Sequence, residues 1–200
     1  MGGTFDPPHL GHTLPAKAAA DEFELDVVWF VPAYIPPHKK RDILTDPYQR
    51  AAMVALAIQP YDHFCFSSEE LHSGVVRYTN DTIATWKRRL KSRDKLFFLM
   101  GSDSFLEIHT WHAYRQLLRR CDFIIMNRGA QTRELKRKLQ KLEVDLEMDL
   151  KKTVHFASAA PLSISSTQIR TALRQGKSVS GMLAPEVEAF IHKQSLYQRR

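Results

Sequence analysis

Short, uninterrupted apolar runs alternate with helix-length amphipathic segments along this chain, and that alternation constrains the fold more than any other feature. The runs at 95–100, Lys-Leu-Phe-Phe-Leu-Met stopped by Gly101, and at 122–126, Asp-Phe-Ile-Ile-Met, have no alternating polar face. A strand that is apolar on both sides must be covered on both sides, as in a parallel sheet flanked by helices. Along the chain the pattern predicts strands at 27–32, 64–67, 95–100, 122–126 and 153–156. Helices are expected at about 12–23, at 47–58 and 79–90, from about 104 with a second short one through 117, and along a charged stretch to about 150. Two more close the chain. The expected class is α/β, a doubly wound and mostly parallel sheet with helices on both faces, binding ligands beyond the carboxyl ends of its strands. No internal repeat or linker divides residues 1–200, which read as one domain.

The run Gly2-Gly3-Thr4-Phe5-Asp6-Pro7-Pro8-His9-Leu10-Gly11-His12 opens the chain. Paired glycines let the backbone turn tightly and bring bare N–H groups against an anion, and the Pro-Pro pair ends any extended segment. The alanine-rich stretch that follows predicts a helix, with Pro15 tolerated only in its first turn. His9 and His12 then stand at a helix N-terminus, where free N–H groups and the positive dipole end attract phosphate and imidazoles add donors. A metal site is the weaker reading. No third ligand lies nearby, Cys65 and Cys121 lack metal-type spacing, and no His-Glu-x-x-His pattern occurs.

Ile164-Ser165-Ser166-Thr167-Gln168-Ile169-Arg170 is a second phosphate-directed segment. Ser165 and Gln168 have capping-box spacing, so a helix starts there with exposed N–H groups. Arg170 near the positive end of that helix is favourable only when an anion joins it. Gly176-Lys177-Ser178 does not make a P-loop, because Thr171 occupies the position of the first glycine and no strand precedes it.

Other segments fall at the expected ligand edge of the sheet. His38 and Lys39 follow the 27–32 strand. Tyr78-Thr79 opens a helix whose N–H groups and hydroxyl suit a small carboxylate. Asp103, just after Gly101, is placed to accept ribose hydroxyls, and the Trp111 indole, beside His112, suits stacking on a pyridine ring or half-burial in the core.

The net charge of +7 points to an anionic partner, nucleic acid or mono- and triphosphates. The basic clusters at 87–91, 119–120 and 133–141 read as solvated helix faces, with leucines between the charges and few aromatics for base stacking. The sequence has no apolar run long enough to span a membrane and no secretory-type leader pattern, so no membrane partner is expected. With two cysteines, the chain reads as a reduced, cytoplasmic protein, in which Asn80-Asp81-Thr82 is not glycosylated.

Taken together, these motifs resemble the nucleotidyltransferase superfamily with a His-x-Gly-His element, and within it the bacterial nicotinate-mononucleotide adenylyltransferases, over nearly the whole chain. The resemblance implies a Rossmann-like sheet and transfer of the adenylyl group of ATP to nicotinate mononucleotide, giving deamido-NAD and pyrophosphate. It implies catalytic roles for His9 and His12, and ATP binding by Gly3, Thr4, Phe5, Gly11, Gly101, Asp103, Ser165, Ser166 and Arg170. Nicotinate mononucleotide would meet His38, Lys39, Tyr78, Thr79, Trp111 and His112. Magnesium would be carried mainly by substrate phosphates, with no protein metal cage. Another adenylyl- or cytidylyltransferase, such as the phosphopantetheine enzyme, is the nearest alternative, and a basic nucleic-acid-binding module a more distant one.

One departure from the family pattern stands out. Its members carry a short apolar strand before the Gly-Gly turn, whereas here only Met1 precedes Gly2. The expectation is therefore that the first strand is absent from this sequence and that Met1 is an internal methionine of a longer chain.

Overall fold

The computed structural model describes residues 1–36, 44–72, 74–126, 132–158 and 162–198. Its elements in order are β1 (Gly2–Gly3), α1 (Leu10–Glu22), β2 (Val28–Pro32), α2 (Pro47–Ile58), β3 (Phe64–Phe66), α3 (Thr79–Arg89), β4 (Phe97–Gly101) and α4 (Ser102–Leu106). They continue with α5 (Tyr114–Arg120), β5 (Asp122–Met126), α6 (Thr132–Leu146), β6 (Val154–Ala157), α7 (Ser166–Arg174) and α8 (Pro185–Lys193), plus 3₁₀ turns at Ile108–Thr110 and Leu150–Lys152.

Every strand pairing is parallel. The expected alternation is present, but the strands form two three-stranded sheets, β1-β2-β3 and β4-β5-β6. The two residues of β1 pair with Val31 and Pro32 of β2, and among the described residues β4 pairs with β5 alone.

Strand periodicity explains the core. Phe123 and Ile125 of β5 face one side, against Phe98, Phe105, Leu117 and the α6 leucines Leu135, Leu139, Leu142 and Leu146. Ile124 and Met126 face the other, against Ala16 and Ala19 of α1, Val54 of α2 and Phe30 of β2. Alternate residues thus feed opposite faces, and both are buried, which is why residues 123–126 include no polar position. The α6 leucines recur at helical spacing while Lys136, Arg137 and Lys141 between them are exposed, as expected of a solvated basic face. A third cluster joins α2 to the C-terminal helices through Met53, Ile169, Val187 and Ile191.

Helix α1 begins at Leu10, two residues earlier than expected, with His9 as its N-cap. Pro15 therefore lies in the second turn, not the first. It is buried there, and the position costs α1 one i→i−4 hydrogen bond. Strand β4 starts two residues later than predicted, and Gly101 is its last residue as well as the N-cap of α4.

Candidate active site

The chain leaves β1 through Thr4 and Phe5, the latter buried in the left-handed backbone region at φ 51°, and enters α1 at His9. His9 N–H donates to Nδ1 of His12 at 3.2 Å, and the two imidazoles stack with centroids 3.7 Å apart. Because Nδ1 accepts, the proton of neutral His12 sits on Nε2. The Phe5 ring meets His12 edge-on at 5.1 Å, which fixes the imidazole from a second side. A Cβ on Gly11 would come within 2.9 Å of His9 Nδ1 and 3.2 Å of the Ile164 carbonyl oxygen, so glycine is what lets α1 approach the segment leading into α7.

That segment carries the second motif. Ser165 Oγ accepts from Gln168 N–H at 3.2 Å and Gln168 Oε1 accepts from Ser165 N–H at 2.8 Å, the capping box read from the sequence. Ser166 Oγ donates to the Pro7 carbonyl at 2.9 Å, and Arg170 donates to the Asp6 carbonyl at 2.7 Å. Two segments some 160 positions apart in sequence are thus stitched together, bringing the N-termini of α1 and α7 side by side. Arg170 spends part of its guanidinium on backbone, which offsets its place near a positive helix end and leaves further N–H donors for an anion.

A cavity of about 1240 Å³ runs past both. Gly3, Thr4, Phe5, His12 and Ser166 line one part of it. Gly101, Asp103, Tyr78, Thr79, Trp111 and His112 line another. Thr79 is the first residue of α3 and Asp103 lies in the first turn of α4. The Tyr78 and His112 rings stack at 4.2 Å, forming a flat wall. Trp111 is half-buried with its edge to Phe98 at 6.0 Å, packing on the core as one of its two sequence readings expected, and it also lines the cavity. His9, Gly11, Ser165 and Arg170 flank the cavity without lining it, and His9, 3% exposed, lies behind His12. His38 and Lys39 lie outside the described residues. Among the described residues no three His, Cys, Asp or Glu side chains group to hold a metal ion, and no helix is long and apolar enough to cross a membrane.

Two residues of consequence escaped the sequence reading. Arg50 is fully buried and donates to the carbonyls of Thr4, Ala33, Tyr34 and Thr45 at 2.7–2.9 Å, clamping the cavity-facing turn to the end of β2. Burial draws its guanidinium below the ordinary value, against the pull of Asp6. Its signal was a lone cation on the apolar stripe of α2, three and four positions before Met53 and Val54. Asp6, 1% exposed, accepts from the Tyr197 hydroxyl at 2.6 Å and from Thr45 N–H at 3.4 Å. No local pattern announces that pairing.

Parallel strands, a glycine turn and two helix N-termini converging on one cavity define a phosphate-directed α/β protein. The chain belongs to the cytidylyltransferase-like family, whose model matches residues 1–172. Its similar relatives include the "Probable nicotinate-nucleotide adenylyltransferase" of Moorella thermoacetica, 38% identical over all of this chain and 91% of that protein. That of Thermoanaerobacter sp. is 37% identical over all of this chain and 93% of its own. Among solved structures, a Plasmodium falciparum nicotinic acid mononucleotide adenylyltransferase complexed with NaAD has the same fold, at TM-score 0.76 and 21% identity over 98% of this chain and 94% of that one.

Proposed function

We propose that the protein transfers the adenylyl group of ATP to nicotinate mononucleotide, giving deamido-NAD and pyrophosphate. The observation that carries this reading is the convergence of His12 and Ser166 on a cavity that also holds Tyr78, Thr79, Asp103 and Trp111. Relatives named for this activity over nearly their whole length support it.

In this reaction a 5′-phosphate oxygen of the mononucleotide attacks the α-phosphorus of ATP. The bond from that phosphorus to the bridging oxygen breaks, and its electron pair leaves with pyrophosphate. Such chemistry needs alignment and charge neutralisation, not a covalent nucleophile. His12 Nε2–H is the donor for the phosphate oxygens, while His9 holds the His12 tautomer through its N–H and supports the ring. The α7 N-terminus, Ser166 and Arg170 receive the leaving phosphates, Asp103 accepts ribose hydroxyls, and Trp111 and the α3 N-terminus meet the pyridine ring and its carboxylate. The donors gathered here are imidazole, hydroxyl, guanidinium and backbone N–H, which suit phosphate oxygens, so magnesium would be held by those oxygens and water. When bound it would neutralise charge on the triphosphate. A cytoplasmic setting accords with the free thiols Cys65 and Cys121.

Pyrophosphate release with ATP and a panel of acceptors tests the reading. Release with nicotinate mononucleotide is expected. Release only with phosphopantetheine or another acceptor, or salt-sensitive binding of random DNA with no release, would overturn it.

A further inference from the structure

Helix α8 ends in a bent strap. Ser195 N–H donates to the His192 carbonyl at 3.1 Å and Leu196 N–H to the Ile191 carbonyl at 2.9 Å, the paired bonds of a Schellman cap. Its left-handed position, usually glycine, is Ser195 at φ 51°, and Tyr197 is left-handed again at φ 61°. For a bulky residue that conformation is an outlier, kept only where the surroundings hold it. Here they do. Leu196 packs on the cluster joining α2 to the C-terminal helices, and the Tyr197 phenol turns inward to the Asp6 carboxylate, 191 positions away in sequence, at 2.6 Å.

We propose that Tyr197 is a positioning residue for adenylyl transfer, acting through Asp6 on the turn that carries Phe5, His9 and His12. The inference rests on the adenylyl-transfer reading and adds to it a residue outside positions 1–172, the part of the chain that the family's model matches. Tyr197 does not line the cavity, so it acts through another group. Asp6 is that group. It is 1% exposed and adjoins Phe5, which lines the cavity and meets the His12 imidazole edge-on at 5.1 Å. Three residues on, His9 caps α1, and its N–H holds His12 Nδ1.

The other ties on this turn reach its backbone. Arg50 bonds the Thr4 carbonyl, Arg170 that of Asp6 and Ser166 that of Pro7, while Leu10 N–H donates to the Met182 carbonyl at 2.9 Å. The Asp6 side chain is held by the phenol and, at a longer 3.4 Å, by Thr45 N–H. Burial and the Asp6 charge raise the phenol above its ordinary value, so it stays a donor at neutral pH. Without it the carboxylate turns towards the charge of Arg50, which already feels Asp6, and the turn follows. Displacements of that kind, remote from the chemistry, spoil the alignment that in-line displacement requires.

The test compares Tyr197→Phe with Val187→Ala, which loosens the same α2–α8 packing without touching Asp6. Both are expected to melt lower. At a temperature where both are folded, only Tyr197→Phe should lower kcat for pyrophosphate release, by roughly 10–100-fold, with little change in KM for ATP or acceptor. Only it should move the His9 and His12 ring resonances in NMR spectra. Asp6→Asn weakens the same bond from its other end and should act in the same direction, so it gives the comparison if Tyr197→Phe does not fold. Unaltered kcat, unmoved histidine resonances, or an equal loss of kcat in Val187→Ala would each overturn the proposal. The acceptor used by the unaltered chain judges the adenylyl-transfer reading separately, and the histidine resonances report the positioning whichever acceptor that is.

Discussion

The Tyr197 phenol donates to the buried Asp6 carboxylate at 2.6 Å, so a residue beyond the last helix fastens the turn that precedes the first. Arg170 bonds the carbonyl of the same aspartate and Thr45 N–H its other oxygen. The turn facing the cavity is thus held by three distant parts of the chain, an arrangement that preorganises donors before any ligand arrives.

Tyr197→Phe should cost about 1–3 kcal/mol, because it leaves a buried carboxylate short of a donor. Chemical denaturation measures it, and an unchanged midpoint would show that Asp6 is satisfied without the phenol.

Arg50→Lys should behave almost as badly as Arg50→Met. One ammonium cannot reproduce the planar fork that reaches the Thr4, Ala33, Tyr34 and Thr45 carbonyls. The expected outcome is a loss of several kcal/mol in stability, together with a lower kcat in whatever fraction remains folded. Full activity and stability in the lysine variant would remove the clamp.

His12→Ala is expected to lower kcat for pyrophosphate release by about 10²–10³-fold while the KM for ATP changes little, since the imidazole meets charge that grows in the transition state. Steady-state kinetics decide it. A rise in KM at constant kcat would assign His12 to ground-state binding instead.

Nicotinate mononucleotide should be preferred over its amide by about 10–100-fold in kcat/KM, the value of a charge-assisted contact to the N–H groups at the start of α3. Equal efficiency on both would place the carboxylate elsewhere.

Alkaline pH should destabilise the fold. Burial pushes the Cys121 thiol up to about 12, and burial together with Asp6 raises the Tyr197 phenol. Above pH 9 the unfolded chain releases these protons while the folded one retains them. Stability is therefore fully present below pH 9 and is lost progressively as the pH rises towards 12. Denaturation midpoints across that range should fall, and less steeply in Cys121→Ala.

The alternation of apolar strands and amphipathic helices was legible in the sequence because burial on both faces leaves no polar position in a run such as 123–126. The local motifs of the candidate site were legible for a similar reason. A capping box, a glycine turn and histidines at i and i+3 are near-neighbour patterns, and the capping of α7 by Ser165 and Gln168 follows from spacing alone. What joins them was not. Ser166 on Pro7, Arg170 on Asp6 and Arg50 on Thr4 are contacts between segments that carry no mutual signal, because hydrogen bonds to backbone carbonyls place almost no demand on the partner's side chain. The second turn of α1 could accept Pro15, buried there, only in a tertiary setting. The division into two sheets was likewise decided in three dimensions. A strand is defined by the edges it pairs with, and only the folded chain brings the open edges of β2 and β4 to face each other across one cavity.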